Sequence, residues 1–286
     1  MRGAYSMKNW KYYKHAAVPR TGPHEKVDLT PIDDASIWEM DGKPLFARWT
    51  SDFDCGYETN WWYCIKDVPF DLSLIKSNYR YKVNKGLKYF DIQTIDPVKY
   101  CGEIYDVFTA AYSSWPAKYR PFFSHDDAVE LSHKLAIYPD MVCYGVFNRE
   151  TGELSGFMQA PTFESYAELQ VLRVKPECEK HQINAALVYA LLKSNQSRLE
   201  NGYYILDGAR NINHETNFQD YLEKYFGFRK AYCNLHIAYN PKIKWLIKMM
   251  FPLRKILQTL DAVGLIHQIN SVLFMEELVR NEARNK

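Results

Sequence analysis

A chain of 286 residues has room for one large domain or two small ones, and 47% apolar with 24% charged residues can fill a core. Lys plus Arg number 36 against 34 acids, so no global field draws the chain to nucleic acid or membrane, and such a partner would need a local patch. The opening MRGAYSMKNWKYYK lacks the apolar run of a signal peptide, and no stretch approaches the roughly 20 apolar residues of a membrane span. Cys55, Cys64, Cys101, Cys143, Cys178 and Cys233 form no C-x-x-C; they read as free thiols in a reducing compartment, with no metal site, and the expected location is cytoplasmic.

Residues 1–30 carry Pro, Gly, Lys and His without periodicity and read as an irregular arm. Leu45–Trp49 and Trp61–Lys66 are short β-prone runs separated by the turn-rich SDFDCGYETN. Within the second run, Asn60-Trp61-Trp62-Tyr63 is the place for a ring-binding face, with core packing as the plainer reading. A helix follows, with Leu72, Ile75, Tyr79, Val83 and Leu87 at three- and four-residue steps and Gly86 marking its stop. Its other face carries Lys76, Arg80, Asn84 and Lys88, with Lys82 and Lys85 beside them. This basic helix over 71–88 is either a solvated face or a surface for tRNA acceptor-stem phosphates or an anionic glycan precursor.

FDIQTI alternates as a strand should, and Asp96-Pro97 reads as an N-cap followed by Pro at the first helical position. The helix behind it places Cys101, Ile104, Tyr105, Phe108 and Tyr112 on one stripe; Ser124 and Asp127 form a capping box for the next, which runs to about Tyr138. Cys143–Phe147 and Leu154–Ala160 make a hairpin around NRETGE. A strand over Ala167–Val174 runs straight into VKPECEKHQINAALVYALL, a helix after its first third but without a glycine. Tyr203–Leu206 reads as a buried strand, about His214 to Phe226 as a helix capped by Asn213, and Phe228–Tyr239 as the last strand or strands. Residues 90–240 thus run β-α-α-β-β-β-α-β-α-β, an α/β (α+β) mixed sheet with helices on both faces. Beyond Tyr239 the chain is apolar and basic with a kink at Pro252; it is expected to pack on the main domain, to form a homodimer, or to lie on a membrane surface.

That order, with V-x-P at Val174 and Pro176, Ile183, Leu187 and GFRK at Gly227–Lys230, resembles the GCN5-related N-acetyltransferase (GNAT) superfamily over about half the chain. The run NYRYKVNKGLK more weakly resembles Fem-type aminoacyltransferases, which pair two such units. The resemblance implies an arm over 1–30, a reduced N-terminal half-domain over 31–89, an acyltransferase domain over 90–240 and a helical extension over 241–286. It implies transfer of an acyl group from acetyl-CoA or another acyl-CoA, or of an aminoacyl group from aminoacyl-tRNA, to a small-molecule or peptide amine.

In the family a bulge splays the central strand, so that its backbone holds the acyl-pantetheine arm as an added strand would; Val171, Leu172 and Val174 take that part here. The following loop holds the pyrophosphate on amides at a helix N-terminus, approached through glycines. Here the three key positions are Glu179, Gln182 and Asn184, so a carboxylate and two side chains stand where the ligand sits, offset by Lys180 and His181. Arg210 is the best candidate for an anionic group. The catalytic candidates are Glu168 on the central strand, Asp207 after the buried strand, and Tyr221 as an acid. Each has a plainer reading: a solvated strand-edge carboxylate, a loop cap and core packing. His214 is a weaker base candidate. The degenerate loop also admits a different class, a catalytically silent scaffold that kept the fold.

Overall fold

The computed structural model describes residues 9–117, 120–212, 217–260 and 264–285, so Asn213 and His214 lie outside the described residues. Strands β1 (Trp10–Tyr13) and β2 (Ala16–Pro19) form an antiparallel hairpin where the sequence reads as an irregular arm. Its two-residue turn places Lys14 and His15 at φ 46° and 66°, the backbone of a type I′ turn. That turn normally announces itself by Asn-Gly or Asp-Gly, and neither is present. β3 (Phe46–Ser51) and β4 (Trp61–Lys66) follow the expected β-prone runs.

Helix α1 (Ser77–Tyr89) starts six residues later than its periodicity suggests, because the Asp71 carboxylate accepts from both Ser73 N and Ser73 Oγ at 2.7 Å and holds a turn there. It then runs through Gly86 to Tyr89, so Gly86 is not its stop. β5 (Phe90–Thr94) leads to α2 (Cys101–Ser113); Asp96 accepts from Val98 N at 3.0 Å and caps a preceding turn rather than the helix. α3 (His125–Ile137) opens with both hydrogen bonds of the Ser124–Asp127 box. β6 (Met141–Asn148) and β7 (Leu154–Pro161) are the expected hairpin. β8 (Tyr166–Glu168) and β9 (Val171–Val174) replace the single strand expected there. A 3-10 turn over Pro176–His181 precedes α4 (Ile183–Ser194); then come β10 (Tyr204–Ala209), α5 (Phe218–Phe226) and β11 (Arg229–Tyr239). α6 (Pro241–Met250), a 3-10 turn at Phe251–Leu253, α7 (Arg254–Gln258) and α8 (Gly264–Asn285) complete the chain.

The chain divides into two compact units: residues 1–63, 209–216 and 230–286, and residues 64–208 and 217–229. In the first, β2 pairs parallel with β3 and β3 antiparallel with β11. One face of this sheet buries Ala16, Phe46, Trp61, Cys233 and Leu235 against Met275 and Leu278 of α8. The other buries Trp10, Ala17, Ile37 and Ala47. Trp61 is therefore core, 2% exposed, not part of a ring-binding face.

In the second unit β5, β6, β7 and β9 form an antiparallel sheet. α2 and α3 cover one face through Ile104, Val107, Phe108 and Leu135 on Cys143, Leu154 and Phe157. α4 lies on the other, where Tyr144 Oη meets Ser194 Oγ at 2.7 Å and Gly156 leaves room for Ile183. Covered on both sides, β7 is buried along its whole length. With this antiparallel sheet covered by helices on both faces and the parallel pairs β2–β3 and β8–β10 in the other sheet, the mixed α/β order expected is a GNAT-like fold.

Candidate active site

The feature that builds the site is a change of partner within one extended segment. β8 pairs parallel with β10 through Tyr166↔Tyr204, Ala167↔Ile205 and Glu168↔Leu206, and Leu169 N–H adds a last bond to Leu206 O at 2.8 Å. At the next residue Gln170 N–H turns to Gln159 O of β7 at 3.1 Å, and β9 continues along β7. Gln170 and Val171 both fall opposite Gln159, which is a bulge. Beyond Leu169 the segment and β10 therefore part, and β9 is the edge of its sheet.

Backbone alternation fixes what faces the parted side. Lys175 N–H bonds Ser155 O, so Arg173 and Val171 bond β7, while the backbone groups of Leu172 and Val174 point away from it. The Leu172 carbonyl is already engaged: Arg173 Nη1 donates to it at 2.8 Å. The same guanidinium lies 5.2 Å from the ring centre of Trp115, 5.7 Å from Tyr112 and 5.9 Å from Phe108. The Val171 side chain packs on the α2–α3 core, and Val174 is buried beside Gly156.

Asp207 is the first residue of β10 past the last bond to β8. Burial pushes its carboxyl up to about 7, against a smaller opposing pull from a hydrogen bond with Gln219 of α5, itself 5% exposed. Gly208 follows at φ 106°, a backbone that suits glycine alone and turns the chain sharply after the carboxylate. Glu168 is half-buried and in register with Leu206. Because Asp207 is one residue further along β10, the two carboxylates project to opposite faces of the sheet. Tyr221 stacks on Phe218 at 5.8 Å and packs on Tyr225 and Phe226 at 4.9 and 5.7 Å, and burial raises its hydroxyl pKa. It is a member of an aromatic cluster that also takes in Phe70 and Tyr79.

The phosphate end is built differently. Gln182 sits at φ 63° between the 3-10 turn and α4, and its N–H donates to Glu179 O at 2.9 Å rather than facing outward. α1 is seated on this terminus: a Cβ on Gly86 would stand 2.6 Å from Gln182 O and 2.9 Å from Ala186 Cβ. The Tyr89 ring lies 4.1 Å from that of His181. His181 Nδ1 and Asn184 Oδ1 are buried there without a hydrogen-bond partner among the described residues. Glu179 and Lys180 stay exposed. Of the basic residues on this helix, Lys82 lies over the Tyr225 ring at 4.9 Å and Arg80 donates to Ser73 O at 3.3 Å, while Lys76 and Lys88 are exposed.

Arg210 belongs to the first unit and has a structural duty there that the sequence does not reveal. Its N–H donates to Trp62 O at 2.8 Å, Nη1 donates to Asn60 O at 2.6 Å, and the guanidinium lies 5.5 Å from the Phe274 ring. Among the described residues no group of three or more His, Cys, Asp or Glu is placed to hold a metal ion, and no helix is long and apolar enough to cross a membrane.

No protein-family model matches this sequence, and no curated protein does. Solved structures do. A conserved protein of unknown function from Bacteroides thetaiotaomicron aligns with TM-score 0.50 at 12% identity, covering 78% of this chain and 78% of that one. L-PGS from Bacillus licheniformis aligns with TM-score 0.49 at 14% identity, over 84% of this chain and 83% of that one. An acetyltransferase from Thermus thermophilus aligns with TM-score 0.39 at 15% identity, over 53% of this chain and 97% of that one. At such an identity the first of these likenesses speaks to fold alone.

Proposed function

We propose that this protein transfers an acyl or aminoacyl group to an amine, with Asp207 as the general base beside the parted strands. The observation that carries the reading is a carboxylate with its pKa pushed up to about 7 at the first residue of β10 beyond its pairing with β8. A base poised there accepts a proton from an ammonium or amine near neutral pH. The amine nitrogen then attacks the acyl carbon, a C–N bond forms, the carbon–oxygen or carbon–sulfur bond to the carrier breaks, and the leaving atom takes up a proton. Gln219 orients the carboxylate through its hydrogen bond.

The seating of α1 on the α4 terminus favours an aminoacyl-tRNA donor over acyl-CoA. A CoA pyrophosphate would need that terminus uncovered, whereas Gly86, Tyr89 and the inward amide of Gln182 close it. Exposed Lys76, just before α1, and Lys88 on it suit a phosphate backbone. A catalytically silent binding role is the second reading, favoured by the Arg173 guanidinium engaging the Leu172 carbonyl on the parted side. The deciding experiment incubates the protein with labelled aminoacyl-tRNA or acetyl-CoA and a panel of amines. Transfer that is lost in Asp207→Asn supports the acyltransferase; no transfer from either donor supports the silent module.

A further inference from the structure

From Pro241 to Leu260 the sequence contains Lys242, Lys244, Lys248, Arg254 and Lys255 and no acidic residue. Over the same stretch large apolar side chains stand in solvent: Trp245 at 59% exposure, Met249 at 63%, Leu253 at 51%, Ile256 at 64% and Leu260 at 48%. They fall at steps of four, four, three and four residues, the spacing that keeps to one side of a helical path. On α6 the row Trp245–Met249 runs beside the row Lys244–Lys248, each pair one turn apart. The opposite side of α6 is the one that packs, with Ile247 buried.

The path is anchored from behind. Arg254 Nε and Nη2 donate to Glu277 Oε1 at 3.0 and 2.8 Å, and Asn270 Nδ2 donates to Leu257 O at 3.0 Å, which ties α7 to α8. α8 is held on its sheet by Tyr239 Oη donating to Glu276 Oε2 at 2.8 Å and by Met275 and Leu278 in the core. The apolar row is thus fixed in place and faces outward from its own unit. An exposed tryptophan, several aliphatic side chains and flanking lysines with no carboxylate among them match an anionic lipid surface, where the rings and alkyl chains enter the headgroup boundary and the ammonium groups meet phosphates. Arg254 is already paired with Glu277, and the four lysines that remain leave a field of one sign that a protein partner of ordinary mixed charge would not match.

We infer that α6 and α7 dock this protein, lying flat, on anionic phospholipid membranes. The inference does not depend on the acyltransferase reading. The test is sedimentation of the full chain with phosphatidylcholine vesicles, with and without about one third phosphatidylserine. Binding is expected to the anionic vesicles alone and to weaken with salt. Each of Lys244→Ala and Lys248→Ala is expected to lower the partition constant roughly fivefold, the effect of one basic side chain near a charged surface. Trp245→Ser with Met249→Ser and Ile256→Ser, all exposed positions, is expected to abolish binding at unchanged thermal stability. Three results overturn the inference: no sedimentation of the wild-type chain, equal binding to neutral vesicles, or a concentration-dependent dimer dissolved by the serine substitutions without any lipid binding. The wild-type comparison decides the matter even where a variant folds poorly.

Discussion

The two ends of the parted strands have diverged in chemistry. At one end, where β8 leaves β10, burial raises the pKa of a carboxylate to about 7 against the opposing pull of its hydrogen bond with Gln219. At the other, where a phosphate-binding fold would offer free amides, a helix of the same unit closes the α4 terminus through a glycine contact. Burying a carboxylate costs stability, and the hydrogen bond from Gln219 offsets only part of that cost. Closing the α4 terminus with α1 adds packing and stabilises.

The largest expected effect tests the costly end. Asp207→Asn should lower kcat/KM by on the order of 10²- to 10⁴-fold, the usual worth of a general base. The pH–rate profile of the wild type should rise through a limb near 7, and the variant should lose that limb. A variant of full activity with an unchanged profile would remove Asp207 from the chemistry.

The same substitution has a thermodynamic signature of opposite sign. The folded carboxyl titrates near 7 and the unfolded one near 4, so between those values the native state holds a proton that the unfolded state has released. Stability from this group is therefore present at low pH, falls as pH rises from about 4 to about 7, and is level above that. Asp207→Asn removes the penalty. Thermal melts should show a gain that grows across this window and reaches roughly 4 kcal/mol at pH 8, the free-energy equivalent of moving a carboxyl from about 4 to about 7. A gain independent of pH would mean that the carboxyl is not held in its neutral form.

The closed end is tested by Gly86→Ala. In an ordinary helix the change would stabilise by roughly 0.5–1 kcal/mol. Here the new methyl would stand 2.6 Å from Gln182 O, a backbone atom, and 2.9 Å from Ala186 Cβ, so the helices must separate. The expected net result is a loss of about 1–3 kcal/mol in denaturant melts, the range for overpacking. A stabilised variant would show that α1 does not sit tightly on the α4 terminus.

Much of this was legible from residue patterns, and what was not shares a cause. The Ser124–Asp127 box, the NRETGE hairpin and the apolar periods of α2 and α4 are local signals, and each specifies its element. Asp207 could be singled out by its place after a buried strand, but the burial that raises its pKa is a property of the folded surroundings, and its hydrogen-bond partner Gln219 lies twelve residues on and on another element. The partner switch at Leu169–Gln170 spans one residue and leaves no mark on the alternation, so 167–174 reads as one strand. Gly86 looks like a helix stop because its role, close approach to Gln182 and Ala186, involves residues almost a hundred positions away. Arg210 looks unemployed for the same reason: its partners are Asn60, Trp62 and Phe274. Backbone that is strained without glycine, as at Lys14, His15 and Gln182, is equally silent in one sequence.

Gln182 gives the smallest effect and the sharpest view of the closed end. It holds a left-handed conformation at φ 63° and ψ 36°, which costs a side-chain-bearing residue roughly 1–2 kcal/mol. Gln182→Gly relieves that strain but frees the unfolded chain, so the net gain should be only about 0.5 kcal/mol in denaturant melts. The substitution also puts a glycine at the position that the resemblance aligns with a glycine of the GNAT phosphate loop. If loop composition alone kept CoA away, the variant should release heat in a calorimetric titration with acetyl-CoA. With Gly86 and Tyr89 still seated over the terminus, no heat is expected, since the amide that the glycine would expose remains covered. Titratable binding in Gln182→Gly would instead place the obstacle in that one side chain, and the aminoacyl-tRNA preference would lose its structural ground.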